Sequence, residues 1–419
     1  MNQYLYEITN YCIGGFPDKG GKMKKLLILL VTFAMVCGLA GCNKKNTNGP
    51  YFIAIVTGTA SQGEDSLRAA EDFMKTYGKF EEGGIVKHAT YPDNFTQEIE
   101  TVINTITSFA ADPACRAIIV CQGVPGTAAA FEKIKKERPD IILLIGSAHD
   151  DWNVACDVAD VVVEPDNLAR GYLMILAAKK LGAKNFVHIS FSRHMGYEQL
   201  ARRAAIMEVA CEDLGMGFFK ETAPDPTIEG MPAAQQYILE HMDGWVEQYG
   251  KDTAFFCTND GHTEPMLKKV AELGAIFVEA DLPSPILGYP GAFGIDLKEE
   301  AGDWPAILKK VEAAVVAAGG GGRMGTWAYS IDYTSVAALA LFAKRCIEKE
   351  AFVKSFDDLM AAFGVYTPGA KWNGSKFTDP ATNKKVDNYY LIYQDTYIMG
   401  SGYMNMIDEV VPEKYFDIK

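Results

Sequence analysis

Short apolar runs alternate with longer amphipathic stretches along most of the chain after Pro50. Strands buried on both faces of a parallel sheet read as continuous apolar runs, and the intervening stretches have the spacing of covering helices. The pattern predicts an α/β protein with two doubly wound parallel-sheet lobes joined by a hinge. The predicted strands are 52–57, 85–91, 116–121, 141–146 and 158–163 in the first series, and 186–191, 217–222, 254–257, 275–278 and 286–288 in the second.

The join between the two series falls near Pro165, and the chain then returns through a long helix over 333–349. Residues 351–419 match no motif and are treated as a C-terminal extension with an added strand over 389–393. In two hinged lobes a ligand lies between them, against loops at the carboxyl ends of the strands. Our assignment is an N-terminal lobe of 51–165 plus about 292–331 and a C-terminal lobe of 166–291 plus about 332–419.

The start of the chain has the pattern of a bacterial lipoprotein signal. Two lysines precede a short apolar run that ends in Leu39-Ala40-Gly41-Cys42, with small residues before the cysteine. We expect 23–41 to be a signal peptide, Cys42 to be lipidated and 42–50 to be a tether. This places the protein at the cell membrane on its extracytoplasmic side. The alternatives are an uncleaved membrane anchor and a plain secretory signal.

Residues 1–22 do not fit a signal peptide, because they are polar, aromatic and Gly-rich rather than basic. Lys19-Gly20-Gly21-Lys22-Met23 can be encoded by a purine-rich ribosome-binding site followed by a start codon. We therefore expect the first 22 residues to be untranslated, with Met23 as the physiological start.

Charge and composition exclude some classes of partner. The formal net charge is −14 at pH 7, so the chain repels nucleic acid. Hydrophobic residues make up 48% of the sequence, enough for the cores of two domains.

Six cysteines follow Cys42, and we predict free, mostly buried thiols because several lie within apolar strands or helices. No zinc-binding spacing of Cys or His occurs, so no metal or cofactor is expected.

Two glycine motifs of the chain do not mark nucleotide-binding sites. Gly58 and Gly63 have P-loop spacing, but Glu64 and Asp65 stand where that loop needs Lys and Ser or Thr. The Gly-x-Gly-x-x-Gly pattern over 320–325 follows a helix rather than a first strand, and a return loop explains it better.

Three segments give the chain a family resemblance. Ile53-Ala54-Ile55-Val56-Thr57 opens the fold, and Phe256-Cys257-Thr258-Asn259-Asp260 ends a strand of the second lobe. With the lipoprotein leader, the chain resembles a type I periplasmic binding protein, the solute-binding component of an ABC importer. Segments 57–65 and 223–227 look closest to a poorly characterised family of anaerobe lipoproteins. The resemblance implies the fold, a transport role and an ABC permease as partner.

Candidate ligand-binding side chains lie where strands of the first lobe end. Hydroxyl and amide groups there can bind a polar ligand or cap the following helix, and both readings stay open. His149 stands beside two carboxylates, and we read it as a ligand contact rather than a catalytic base. The candidates are Thr57, Thr59, Ser61, Gln62, Gln122, Gly123, Ser147 and His149.

The second lobe contributes Ser192, Arg193, Asn259 and Asp260, and Asp332 precedes the last strong helix. Arg193 can fork onto a ligand carboxylate or steady the following helix. Asn259 and Asp260 can hydrogen-bond vicinal hydroxyls, or form an Asx-turn that starts the next helix. Asp332 is either a ligand contact or an N-cap.

The sequence therefore predicts a lipid-anchored solute-binding protein rather than an enzyme, since no nucleophile, base and orienting group occur at recognisable spacing. The expected solute is small and polar, of the sugar, polyol or nucleoside class. Two alternatives remain open, a surface sensor that passes ligand-induced closure to a signalling partner and a surface enzyme that uses the same cleft.

Overall fold

The structure, a computed structural model, describes residues 49–379, 381–382 and 384–418. The predicted leader, the signal peptide, Cys42 and the tether up to residue 48 lie outside the described residues. Within the described part of the chain, no helix has the length and apolar character needed to cross a membrane.

The first lobe is built on a sheet whose central strands are parallel and buried on both faces. The sheet is covered by amphipathic helices, as the apolar runs predicted. Its first five strands are β1 (Phe52–Thr57), β2 (Val86–Thr90), β3 (Cys115–Gly123), β4 (Ile142–Ala148) and β5 (Val161–Pro165). The helices between them are α1 (Ala60–Tyr77), α2 (Ile99–Ala110), α3 (Thr127–Glu137) and α4 (Trp152–Val158).

The second lobe has a smaller parallel sheet in the order β7-β6-β8. Its strands are β6 (Asn185–Ser190), β7 (Gly217–Thr222) and β8 (Thr253–Cys257). Its helices are α5 (Asn167–Lys180), α6 (Ser192–Met195), α7 (Glu198–Asp213), α8 (Pro226–Glu229), α9 (Met231–Tyr249) and α10 (Thr263–Leu273), followed by α11 (Tyr289–Phe293) and α12 (Trp304–Ala317).

Two predicted strands of the second lobe differ from the structure. Residues 275–278 form two single bridges, one from Ile276 to Ala254 of β8 and one from Phe277 to Met324 outside this sheet. Residues 286–288 form a turn rather than a strand. Gly288 takes a left-handed conformation with φ of 75°, which breaks an extended run.

The structure places the described residues of 332–394 in the first lobe, so their assignment to the second lobe was wrong. Residues 409–418 do contact the second lobe, as assigned. Helix α13 (Ile331–Ile347) packs on α1 and on strands β3 and β4 of the first lobe. Strands β10 (Trp372–Thr378) and β11 (Lys385–Gln394) extend the first sheet to the order β10-β11-β5-β4-β3-β1-β2, and α14 (Phe356–Tyr366) packs on α13. Helix α13 is buried on nearly all sides, so it needs cover from both a sheet and other helices, and the first lobe supplies both.

The segment 292–331 is also placed differently from the prediction. Strand β9 (Gly325–Trp327) lies next to the Phe277–Met324 bridge of the second lobe and pairs with β12 (Thr396–Ile398), which pairs with β13 (Gly402–Tyr403). In the described residues the chain thus passes between the lobes after β5, before α13 and after β11. The predicted strand over 389–393 is confirmed as part of β11, where it pairs in parallel with β5.

The six described cysteines are unpaired, as predicted, and four of them are buried. Each occupies an apolar position of the cores between sheet and helices, so the residues serve as small hydrophobes.

Candidate functional site

A cleft with a volume of about 430 Å³ lies between the two lobes. Its walls come from the loops after β1, β3, β4 and β5 in the first lobe and after β6 and β8 in the second. Cavities that bind small molecules are on the order of 300–1,000 Å³, so the cleft has the size of a small-molecule site. Its position at the carboxyl ends of both sheets is the one expected for two open α/β lobes.

Most of the side chains predicted to bind ligand line this cleft. They come from loops separated by up to about 270 residues of sequence, which the two parallel sheets bring to facing edges. These residues are Ser61, Gln62, Gln122, Ser147, His149, Arg193, Asn259, Asp260 and Asp332.

Four predicted residues do not line the cleft. Thr57 is fully buried, and its hydroxyl donates to the carbonyl of Gly58 and lies 2.9 Å from His88 Nε2. The Thr59 hydroxyl donates to the Asp93 carboxylate. Two others also stand apart: Gly123 pairs with Ala148 inside the first sheet, and Ser192 is exposed at the start of α6.

Asn259 and Asp260 have different surroundings, although they are adjacent. The side-chain oxygen of Asn259 accepts a hydrogen bond of 2.9 Å from the backbone N–H of Gly261, which is the Asx-turn considered as the alternative. The Oδ1 atom of Asp260 is buried and has no hydrogen-bond partner among the described residues. Burial raises the pKa of this carboxyl well above its ordinary value, and the Asp281 and Asp332 carboxylates raise it further. Of the pair, only Asp260 offers an unused acceptor to the cleft.

Arg193 lines the cleft but already has a carboxylate partner. Its Nε and Nη2 atoms donate to the two oxygens of Asp225 at 2.6 and 2.9 Å, and Nη1 donates to the Tyr197 hydroxyl at 3.1 Å. Burial alone would raise the pKa of Asp225, but the hydrogen bonds from Arg193 and Thr227 hold it below its usual value. The fork predicted for a ligand carboxylate is therefore occupied within the protein.

The side chain of Gln122 lies within hydrogen-bond distance of both Asp332 and His149. The amide of Gln122 donates to Asp332 Oδ2 at 3.3 Å, and its oxygen lies 3.3 Å from His149 Nε2. Burial raises the pKa of Asp332 to about 7, with a further contribution from Asp65. Burial lowers the pKa of His149 to about 3, so the imidazole is neutral at pH 7. His149 also lies between the rings of Phe95 and Tyr197, at centroid distances of 5.7 and 5.6 Å.

Several residues of the cleft were missed by the sequence analysis. Asp65 and Glu164 line the first lobe, Tyr197 and Asp281 face them, and Tyr389 enters from the C-terminal extension. Glu164 could have been found, because it is a carboxylate inside an otherwise apolar strand. No sequence signal marks Tyr389, since its place in the cleft depends on the pairing of β11 with β5.

Two hydroxyls and a histidine of the second lobe form a short chain. Thr258 Oγ1 lies 2.7 Å from Ser190 Oγ and 3.2 Å from His194 Nδ1. Thr258 is fully buried, so its hydroxyl ties β6 to the loop after β8. Among the described residues, no group of three or more His, Cys, Asp or Glu side chains is placed to hold a metal ion.

This fold and cleft define a class, the two-lobed α/β proteins with the type I periplasmic binding protein fold. A family model described as "Protein of unknown function (DUF3798)" matches residues 51–325, and the chain belongs to this family. A second family model matches residues 336–418. Two uncharacterised proteins of Treponema pallidum (strain Nichols) are each 37% identical to the chain. One match covers 50% of this chain and 95% of the relative, and the other covers 46% and 91%.

Solved structures confirm the predicted fold class. A candidate transcriptional regulator from Clostridium difficile 630 is 26% identical, with a TM-score of 0.68 over 83% of this chain and 99% of that chain. An ABC transporter periplasmic solute-binding protein from Actinobacillus succinogenes 130z, solved with bound D-allose, is 14% identical. Its TM-score is 0.50 over 72% of this chain and 93% of that chain, and at this identity the likeness concerns the fold alone.

Proposed function

We propose that the protein is an extracytoplasmic solute receptor that closes its two lobes on a small polar molecule and delivers it to an ABC permease. The observation that carries the proposal is the cleft itself, because polar side chains from both lobes converge on a cavity of small-molecule size. Ligand contacts to both lobes favour the closed arrangement, and a permease can read that closure. The solute belongs to the sugar, polyol or nucleoside class, and the solved relative that carries D-allose supports this choice.

The receptor is held at the membrane by lipid on Cys42, which follows Leu39-Ala40-Gly41 in a lipoprotein signal. The test is a Cys42→Ser variant, followed by membrane fractionation in the native host. The variant should keep its leader and be held less firmly at the membrane than the parent. A variant that stays with the membrane as firmly as the parent and still loses its leader would show the assignment to be wrong. A start codon placed at Met23 should leave the mature mass unchanged.

The receptor role is tested by native mass spectrometry of protein purified gently from its own host. A bound compound that is released chemically unchanged, and whose uptake by cells falls when the gene is deleted, supports the receptor role. Conversion of that compound by the purified protein would instead assign the cleft to a surface enzyme.

A second function, sensing, is favoured by the match to the Clostridium difficile candidate regulator, which this chain covers almost completely. In a sensor the same closure passes to a signalling partner instead of a permease. Deletion of the gene would then change transcription in response to the compound while leaving its uptake unchanged.

A further inference from the structure

The walls of the cleft carry far more negative than positive side chains. Ten aspartate and glutamate residues line it, against a single arginine and no lysine. The arginine, Arg193, is engaged by both oxygens of Asp225. A ligand with a negative charge would therefore find no unengaged cation among the lining residues of a partly desolvated site, which is unfavourable.

Seven of the lining carboxylates have no cationic partner in any ion pair formed among the described residues, since only Glu64, Glu198 and Asp281 are paired. Four of the seven are Asp65, Glu164, Asp260 and Asp332. Their hydrogen-bond donors are neutral. The Ser330 hydroxyl donates to Asp65, the backbone N–H of Ala148 to Glu164, and the amide of Gln122 to Asp332.

Asp260 also has an unsatisfied oxygen, because its buried Oδ1 accepts no hydrogen bond among the described residues. A buried oxygen without a partner is costly in a folded protein, and a donor supplied by a ligand would satisfy it. Asp260 comes from the second lobe and Asp332 from the helix that packs on the first, so a ligand that contacts both spans the cleft.

We propose that the solute carries a protonated amine alongside its hydroxyl groups, and that the amine binds between the Asp260 and Asp332 carboxylates. This inference rests on the solute-receptor function proposed above and specifies the ligand class. The ammonium group supplies the positive charge that the walls lack, and it donates to the free Oδ1 of Asp260. Burial raises the pKa of these two carboxyls and keeps protons on them when no ligand is bound, whereas the bound cation favours their ionised forms, so those protons are released to solvent. The hydroxyl groups of the ligand are left for the neutral polar side chains, such as Gln62 and Ser147.

The first experiment identifies the compound carried by protein purified from its own host. A compound with an amine that is protonated at pH 7 supports the inference. A neutral sugar, polyol or nucleoside, or a carboxylate, contradicts the amine inference but not the receptor function. Chemical conversion of the compound by the purified protein contradicts the receptor function instead.

If the purified protein is empty, calorimetry with D-glucosamine, D-glucose and D-glucuronate compares one scaffold in three charge states. We expect D-glucosamine to bind at least tenfold more tightly than D-glucose, and D-glucuronate to bind most weakly. Equal affinities, a preference for D-glucose or D-glucuronate, or no heat with any of the three overturns the inference.

Substitutions of the two cleft carboxyls test where the amine of the ligand binds. Asp260→Asn and Asp332→Asn keep the shape of each side chain, and each should weaken binding of the amine at least tenfold while changing that of the neutral scaffold less than threefold. Glu132→Gln is the matched control, because it removes one charge from the outer surface of α3, where the Glu132 side chain is 60% exposed. An equal loss for amine and neutral ligand in either Asn variant, or the same loss in the control, would contradict the assignment.

Discussion

The two walls of the cleft differ in how their charges are balanced. The first wall, made of Asp65, Gln122, Ser147, Glu164 and Asp332, holds carboxylates whose partners are neutral donors. The second wall is made of Arg193, His194, Thr258, Asn259 and Asp260. Its polar groups are paired with one another, with Asp225 or with nearby backbone, except at Oδ1 of Asp260. The carboxyls of the first wall can therefore still pair with a cationic group of a ligand. Most polar groups of the second wall already hydrogen-bond within the protein and stabilise its structure.

The largest effect should come from breaking the internal pair of the second wall. In Arg193→Ala the Asp225 carboxylate, whose side chain is 7% exposed, loses its cation. We expect unfolding free energy to fall by about 3 kcal/mol, because a charge that stays buried without its partner is strongly destabilising. Denaturant unfolding measures this loss.

The control for this variant is Arg68→Ala. Arg68 pairs with Glu64 and Glu71 on the surface of α1, where its side chain is 49% exposed. Exposed ion pairs contribute at most about 1 kcal/mol, so Arg68→Ala should lose much less unfolding free energy than Arg193→Ala. Similar losses in both variants would mean that the second wall is not held by its ion pair.

The first wall should make ligand-free stability depend on pH. The folded pKa of Asp332 is about 7, above its ordinary value of 3.8, so the folded state keeps a proton that the unfolded chain loses. Its stabilising contribution is present at low pH and disappears as the pH rises through 7. Between pH 6.5 and 8.5 the parent should lose about 0.8 kcal/mol relative to Asp332→Asn, because part of the proton has already left the folded state at pH 6.5.

This pH range keeps the buried histidines out of the comparison, and the other buried carboxyls with raised pKa values, such as Asp65, are present in both proteins. Burial lowers the pKa of His149, His188 and His194 to about 3, and they destabilise the fold only as the pH falls below their unfolded value of 6.5. Parallel stability curves for the parent and Asp332→Asn would show that Asp332 does not hold a proton in the folded state.

Asp260, whose Oδ1 has no partner in the second wall, should contribute to ligand binding rather than to folding. Asp260→Ala should weaken binding of the identified solute by about 1–3 kcal/mol, because the ligand loses a hydrogen-bonded partner in a desolvated site. Folding without ligand should change much less. Asn259→Ala should show the opposite pattern, with about 1 kcal/mol lost from folding through its cap and nearly normal affinity. Calorimetry measures both quantities, and unaltered affinity in Asp260→Ala would remove this residue from the site.

The smallest effect concerns the contact that joins the walls. The Tyr389 hydroxyl, on β11 of the first lobe, accepts a hydrogen bond of 2.6 Å from Gln199 Nε2 on α7 of the second. Tyr389→Phe removes this bond and should cost closure about 1 kcal/mol, which weakens solute binding several-fold. Small-angle X-ray scattering should show a larger radius of gyration without ligand.

Tyr415→Phe is the matched control, because the Tyr415 hydroxyl bonds Asp213 away from the cleft. It should leave the radius of gyration and the affinity unchanged. If Tyr389→Phe also leaves both unchanged, the interlobe bond does not hold the walls together.

Local pattern was enough to predict the α/β class, because the apolar runs of β1, β3 and β4 are buried on both faces wherever they pair. It also placed most candidate residues in the cleft. Strand ends follow from strand positions, and in parallel sheets those ends share one edge. Asp332 and Gln122 could thus be proposed separately from sequence, although their hydrogen bond could not.

Long-range packing decided what local pattern leaves open. The sequence of helix α13 shows that it must be buried, but only the tertiary structure shows that α1 and the first sheet bury it. The pairing of Arg193 with Asp225, and the entry of Tyr389 beside Glu164, join residues from different loops and strands. Amphipathic periodicity reports which face of an element is buried and carries no information about its partner, so the charge balance of the cleft emerged only from the folded chain.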